Sequence, residues 1–225
     1  MTRRENTLRA IRFERPDFIP MTFHMNAACW HHYGQNALQD LMASHRFLFP
    51  DFTRQEHVTP DYELNQRKDQ PYTDPWGCVW ETSDDGITGA VHGHPLSAWD
   101  ALEGYEPPDP NTTDGVYPID WESIAASVKR QKRHGELVCG GLPHGHTFLR
   151  LQDIRGYENL IFDMADGEPR LFELIGMIEE FNYQLVLKWM ELGPDLMSYP
   201  EDLGMQVGPM LSPEHFRRYI KPVYE

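Results

Sequence analysis

Residues 168–192 constrain the fold more than any other stretch of the chain. Leu171, Leu174, Ile175, Ile178, Phe181, Leu185 and Trp189 recur at helical spacing. An α-helix over Glu168–Leu192 therefore gathers them on one face. Gly193-Pro194 stops it, since glycine accepts the left-handed exit and proline cannot continue a helix. A helix this long with one apolar face needs another layer to bury against. The residues just past the stop supply it, because Asp195–Tyr199 (DLMSY) reads as a strand. The same alternation runs upstream. Asp120 caps a helix that carries Trp121, Ile124, Ala125 and Val128 on one face. Lys129, Arg130, Lys132 and Arg133 fill its last turn and Gly135 follows, which suits the helix dipole and a left-handed exit. Leu137–Gly141 is then a buried strand. Thr147–Ile154 and Tyr157–Met164 are two short helices split at Gly156, and Ser212-Pro213-Glu214 opens a last helix. Strands and helices in alternation predict an α/β fold with a parallel sheet or barrel. In either, the ligand site lies at the C-terminal ends of the strands.

The N-terminal half is less regular. Thr2 with Glu5 forms a capping-box pattern for a short helix bearing Leu8 and Ile11, which Pro16 ends. Phe18–Phe23 (FIPMTF) reads as a short buried strand, followed by His24 and Asn26, and a helix is expected over Asn36–His45. Residues 46–75 are irregular. Trp76–Thr82 and Ile87–His92, joined by Ser83-Asp84-Asp85-Gly86, form a β-hairpin pattern. Trp99–Asp114, with Pro107, Pro108 and Pro110, reads as a surface connection.

Charge narrows the partners. Asp and Glu total 35 against 20 Lys and Arg, a net charge of −15, and no Lys or Arg occurs from Asp69 to Val128. Phosphate backbones and anionic membrane surfaces need clustered cations, so a nucleic-acid or membrane partner is excluded and a small-molecule substrate expected. Cys29, Cys78 and Cys139 stand far apart with no CxxC, which fits a reducing compartment. Met1-Thr-Arg-Arg-Glu is no signal peptide and no apolar run reaches membrane-span length. A soluble, cytoplasmic protein is expected. The 225 residues fall short of the roughly 250 of a complete eightfold barrel.

Three polar constellations are candidates for chemistry. His24 and Asn26, with Cys29, His31 and His32 behind them, follow the first expected strand. They read either as part of a barrel mouth or as an exposed loop, and no fixed ligand spacing argues for a metal. Pro143-His144-Gly145-His146 follows the strand Leu137–Gly141 and reads as ligand contacts or as a polar turn. Tyr199-Pro200-Glu201-Asp202-Leu203-Gly204 follows the strand Asp195–Tyr199. Its adjacent carboxylates suit acid–base work, one raising the pKa of the other; capping and turn formation is the other reading. His92-Gly93-His94 reads as hairpin surface. Arg155-Gly156-Tyr157-Glu158-Asn159 resembles a catalytic run in composition but reads better as the joint of two helices. There is no GxSxG, P-loop or GxGxxG motif.

Three ordered segments carry a family resemblance: Phe148–Asp163, Glu201–Phe216 and Tyr219–Tyr224. They resemble the uroporphyrinogen decarboxylase-like superfamily, which includes cobalamin-linked methyltransferases. Arg4–Phe13 with Arg15-Pro16-Asp17 looks like that family's N-terminus. Asp74–Trp80, Gly86-Ile87 and His94-Pro95-Leu96 look like its methyltransferase-like branch. The resemblance implies a (β/α)8 TIM-type barrel with an N-terminal helix and a β-hairpin insertion. Residues 1–225 would be a single domain, the N-terminal two-thirds of an incomplete barrel. About three expected core strands, against the eight of a closed barrel, agree with that and predict an open edge prone to homo-oligomer formation. Within the family pattern, Glu201 and Asp202 are the candidate catalytic residues. His24, Asn26, His144, His146, Tyr199 and Gln206 are the candidate substrate contacts. Decarboxylases of the family bind substrate carboxylates through an arginine-rich segment after the first strand. Here His24–Cys29 stands in its place, and no Lys or Arg lies between Phe18 and His45. The methyltransferases' zinc ligands, a His-x-Cys and a later Cys, have no match in this chain. The expectation is therefore a corrinoid-linked methyltransferase-like enzyme. Zinc, a corrinoid and a corrinoid protein would belong to the full-length parent, with no cofactor or metal held within this chain. The alternatives are a decarboxylase of uroporphyrinogen or another carboxylated substrate, and a non-catalytic fragment that binds a corrinoid partner.

Overall fold

The computed structural model describes residues 1–225. The fold is mixed helix and sheet, 44% helical and 9% strand in seven short strands. The chain divides into two compact units: Met1–Tyr72 with Trp80–Ala90, and Thr73–Val79 with Val91–Glu225.

In the first unit, α1 (Arg3–Ile11) starts where Thr2 Oγ1 accepts the Glu5 N–H at 3.1 Å. The expected strand at Phe18–Phe23 does not form; the segment is irregular, with Ile19 77% exposed. A short apolar run becomes a strand only where a neighbour takes up its backbone groups, and here a side chain does so. Fully buried Asn6 donates to Phe18 O at 2.8 Å and accepts from Asp17 N at 2.7 Å. Next come α2 (Ala27–His32) and α3 (Gln35–Ser44). Gln35 and Gln39 stand one turn apart on α3, and each grips the loop that follows. Gln35 exchanges hydrogen bonds with the Val58 backbone at 2.7 and 2.9 Å, and Gln39 with Gln55 at 3.1 and 2.8 Å. The loop is thereby satisfied without regular structure of its own. Strands β1 (Tyr72–Thr73), β2 (Val79–Glu81) and β3 (Ala90–Gly93) form one sheet in that order. The strands expected from the hairpin pattern thus pair as neighbours, shorter than their apolar runs.

The second unit is a helix layer on a parallel pair. Asp120 caps α4 (Trp121–Arg133) through the Glu122 and Ser123 N–H groups. Strand β4 (Cys139–Gly141) leads to α5 (Phe148–Arg155), α6 (Tyr157–Asp166) and α7 (Arg170–Leu192), and then to β5 (Leu196–Ser198). β4 and β5 are parallel, with Cys139 opposite Leu196 and Gly141 opposite Ser198. α7 buries Leu171, Leu174, Ile175, Ile178, Phe181 and Leu185, the face its spacing predicts. It ends at Gly193 with φ 63°, and Lys132 Nζ donates to Leu192 O at 2.7 Å. The helix lies close on β4: a Cβ at Gly140 would sit 2.5 Å from the Trp189 ring. The short pair β6 (Gly204–Met205) and β7 (Gly208–Pro209) is antiparallel. Ser212 then caps α8 (Pro213–His215), which continues through a wider turn to Tyr224. Tyr219 and Ile220 from that turn are buried.

Two buried ion pairs tie this unit together. Arg150 reaches Asp74 at 2.7 Å, and that carboxylate also accepts the Trp76 and Cys78 N–H groups. Arg155 forks onto Asp163 at 2.7 and 3.4 Å, donates to Leu96 O and stacks over Trp99 at 4.5 Å. The composition of Arg155–Asn159 thus serves a helix joint. An ammonium cannot reproduce the planar fork. Arg155→Lys should therefore cost about 1–3 kcal/mol in denaturant unfolding. Lys221→Met, at an exposed i,i+4 pair with Glu225, should change stability by less than about 0.5 kcal/mol.

Candidate functional site

The loops that leave β4 and β5 are tied to each other. Leu142 N–H donates to Ser198 O and Gly145 N–H to Pro200 O, both at 3.0 Å. Glu201 completes the tie. Its carboxylate accepts the backbone N–H groups of Thr147, Phe148 and Leu149 at 2.8, 2.9 and 3.2 Å. These are the free donors at the start of α5, where a negative charge is also favoured by the helix dipole. Glu201 seats α5 against the second loop and so sets the position of the residues between.

A cavity of about 670 Å³ opens at this end of the pair. His146, Tyr199 and Tyr224 bring rings to it, Asn182 and Tyr183 come from α7, and Glu179 and Glu180 add carboxylates. No Lys or Arg lines it. The His146 side chain is buried, with Nδ1 2.7 Å from the Thr147 hydroxyl and Nε2 3.5 Å from the Tyr224 hydroxyl. Asn182 Nδ2 donates to His146 O at 3.0 Å. Burial holds the His146 pKa below the ordinary imidazole value despite the nearby Glu201 charge, so the ring is neutral near pH 7. Burial, and next Glu201, push the Tyr224 phenol up to about 12, so it stays a hydroxyl. Tyr199 stands edge-on to His146 at 6.2 Å and Tyr224 at 5.6 Å. The arrangement can orient a ligand by hydrogen bonds and ring contacts, with neutral His146 and Tyr224 beside the carboxylate-bearing Glu179 and Glu180.

The candidates from the sequence fall in different places. His146 and Tyr199 line the cavity. Glu201 seats α5 from beside it. His144 and Asp202 face each other at 3.5 Å, both exposed. Gln206 is exposed in the turn between β6 and β7 and does not line the cavity. His24 and Asn26 belong to the first unit, where Asn26 caps α2 through the Cys29 N–H at 2.9 Å. A shallower hollow of about 460 Å³ there is lined by Cys29, His31, His32, Asp84 and Asp85. No group of three His, Cys, Asp or Glu side chains is placed to hold a metal. Cys78 is buried, its thiol pushed up by burial, and Cys139 is exposed. Tyr224, Asn182 and Thr147 were not singled out from the sequence. Asn182 carried a readable signal, as the polar residue within the apolar stripe of α7.

No known protein family, curated protein or solved structure matches the chain. No helix is long and apolar enough to cross a membrane.

Two outcomes test this geometry. Glu201→Gln keeps the shape but removes the charge that three N–H donors share, and should destabilise by about 1–3 kcal/mol in urea unfolding. Beneath the site, burial raises Asp153 from 3.8 to about 7, with Arg150 opposing. In that window the folded chain holds a proton that the unfolded chain releases, so stability from this group is lost as pH rises through it. Asp153→Asn removes the effect. The melting temperature of that variant, relative to the unaltered chain, should be higher at pH 8 than at pH 5.

Proposed function

We propose that this chain provides the substrate-binding face of an α/β-barrel enzyme of the uroporphyrinogen decarboxylase-like superfamily. Within it we favour the corrinoid-linked methyltransferase-like branch. The observation that carries the reading is the cavity at the C-terminal ends of the parallel strands β4 and β5, lined by His146 and Tyr199. That is the position barrel enzymes use. In this reading His146, Asn182, Tyr199 and Tyr224 bind and orient a small-molecule substrate. Glu201 is a positioning residue that holds α5 through three backbone N–H groups. A decarboxylase acting on a substrate with several carboxylates fits less well. Such a substrate needs cationic partners, bidentate arginine above all, and the cavity wall has neither Lys nor Arg.

The test compares two reactions of the purified protein. Consumption of methylcobalamin with a thiol acceptor, slowed at least about tenfold by His146→Ala through a lost hydrogen-bonding wall, is the expected result. Conversion of uroporphyrinogen to coproporphyrinogen without methylcobalamin consumption would move the enzyme to the decarboxylase branch. Absence of both reactions would overturn the assignment.

A further inference from the structure

We propose that the cavity at the ends of β4 and β5 takes a small organic cation, an alkylated ammonium group. The rings of His146, Tyr199 and Tyr224 would surround it, and the carboxylates of Glu179 and Glu180 would balance its charge. The inference deepens the reading of this cavity as the substrate site and rests on it.

Size comes first. About 670 Å³ lies within the range of small-molecule sites and is far more than a bare ion needs. The wall then selects charge. It contains no Lys or Arg, and Glu179, Glu180 and Glu225 are its charged side chains. His146 is buried and neutral, and Tyr224 remains a phenol. An anion finds no Lys or Arg in the wall, and the nearby Lys221 ammonium is already paired with Glu225. A cation finds carboxylates and the negative faces of aromatic rings. Tyr199 and Tyr224 both pack edge-on to the His146 ring, at 73° and 66°, so three rings are gathered on one wall of the cavity. Apolar Leu142, Val186 and Pro222 complete the lining, which suits alkyl groups on the nitrogen better than a naked ammonium. A metal cation is a poorer match, because no three ligating side chains converge.

Choline and its uncharged isostere 3,3-dimethylbutan-1-ol provide the test, titrated calorimetrically into the full chain at low salt. Choline should bind saturably and the isostere at least about tenfold more weakly, the scale of desolvated cation–π contacts. Tyr199→Leu and Tyr224→Leu should each weaken choline several-fold, while Tyr199→Phe and Tyr224→Phe keep most of the affinity. Glu179→Gln with Glu180→Gln, at exposed positions on α7, should weaken choline several-fold without affecting the isostere or the fold. Equal affinity for the two probes would overturn the cation and leave an apolar substrate site. Binding of neither probe would also overturn it. The methylcobalamin assay is independent: its failure removes the reaction assigned above and leaves the choline result unchanged.

Discussion

The apolar face of α7 is the contact from which the second unit is built. Its leucines and isoleucines fill the core, and Trp189 lies on Gly140 so closely that no side chain fits there. Phe181 meets Trp76 edge-on at 5.1 Å. Lys132 from α4 closes the C-terminal end of the helix. Burying six apolar residues of one long helix is a large stabilisation, since each fully buried apolar side chain contributes about 1.5–3 kcal/mol. The same helix carries the site. One turn past Ile178, Asn182 lies within the apolar stripe and holds the His146 backbone, and Glu179, Glu180 and Tyr183 line the cavity. Packing and ligand geometry therefore share one rigid element, a condition for a precise site.

Charge inside this unit works by position. Arg150 and Arg155 are both buried, and both find carboxylates and carbonyls in fixed directions. Buried pairs of this kind add little net stability over an apolar core, but breaking one strands a charge. They act as registers: Asp74 and Arg150 join the segment before β2 to α5, and Arg155 with Asp163 sets α5 against α6. Glu201 does the same for the loop after β5. All of these are charged residues whose partners are backbone groups and each other. The cavity wall carries Glu179, Glu180 and Glu225 and no Lys or Arg.

Much of the second unit was legible in the sequence because its signals are local. Asp120, Gly193 and Ser212 act at helix ends through one or two hydrogen bonds or a single backbone angle, and α7 shows its buried face by spacing alone. Strand order pointed to the loops past β4 and β5, and a cavity opens there. The first unit was less legible. Phe18–Phe23 has the composition of a strand but no neighbouring strand, and Asn6, twelve residues away, takes its backbone groups. The glutamine pairs of α3 hold the irregular loop in a way that no composition rule registers.

The sequence by itself determined the helices, their caps, the acidic charge and the two post-strand loops, because these depend on contacts within a few residues. Only the tertiary structure decided which polar groups share a cavity. His146 meets Tyr224 across 78 positions of chain, and Glu201 reaches α5 across more than fifty. Such meetings depend on the packing of α7 against β4 and β5, which no single segment encodes. The long amphipathic run therefore specified that a sheet must cover it, and the packed sheet specified what the site can hold.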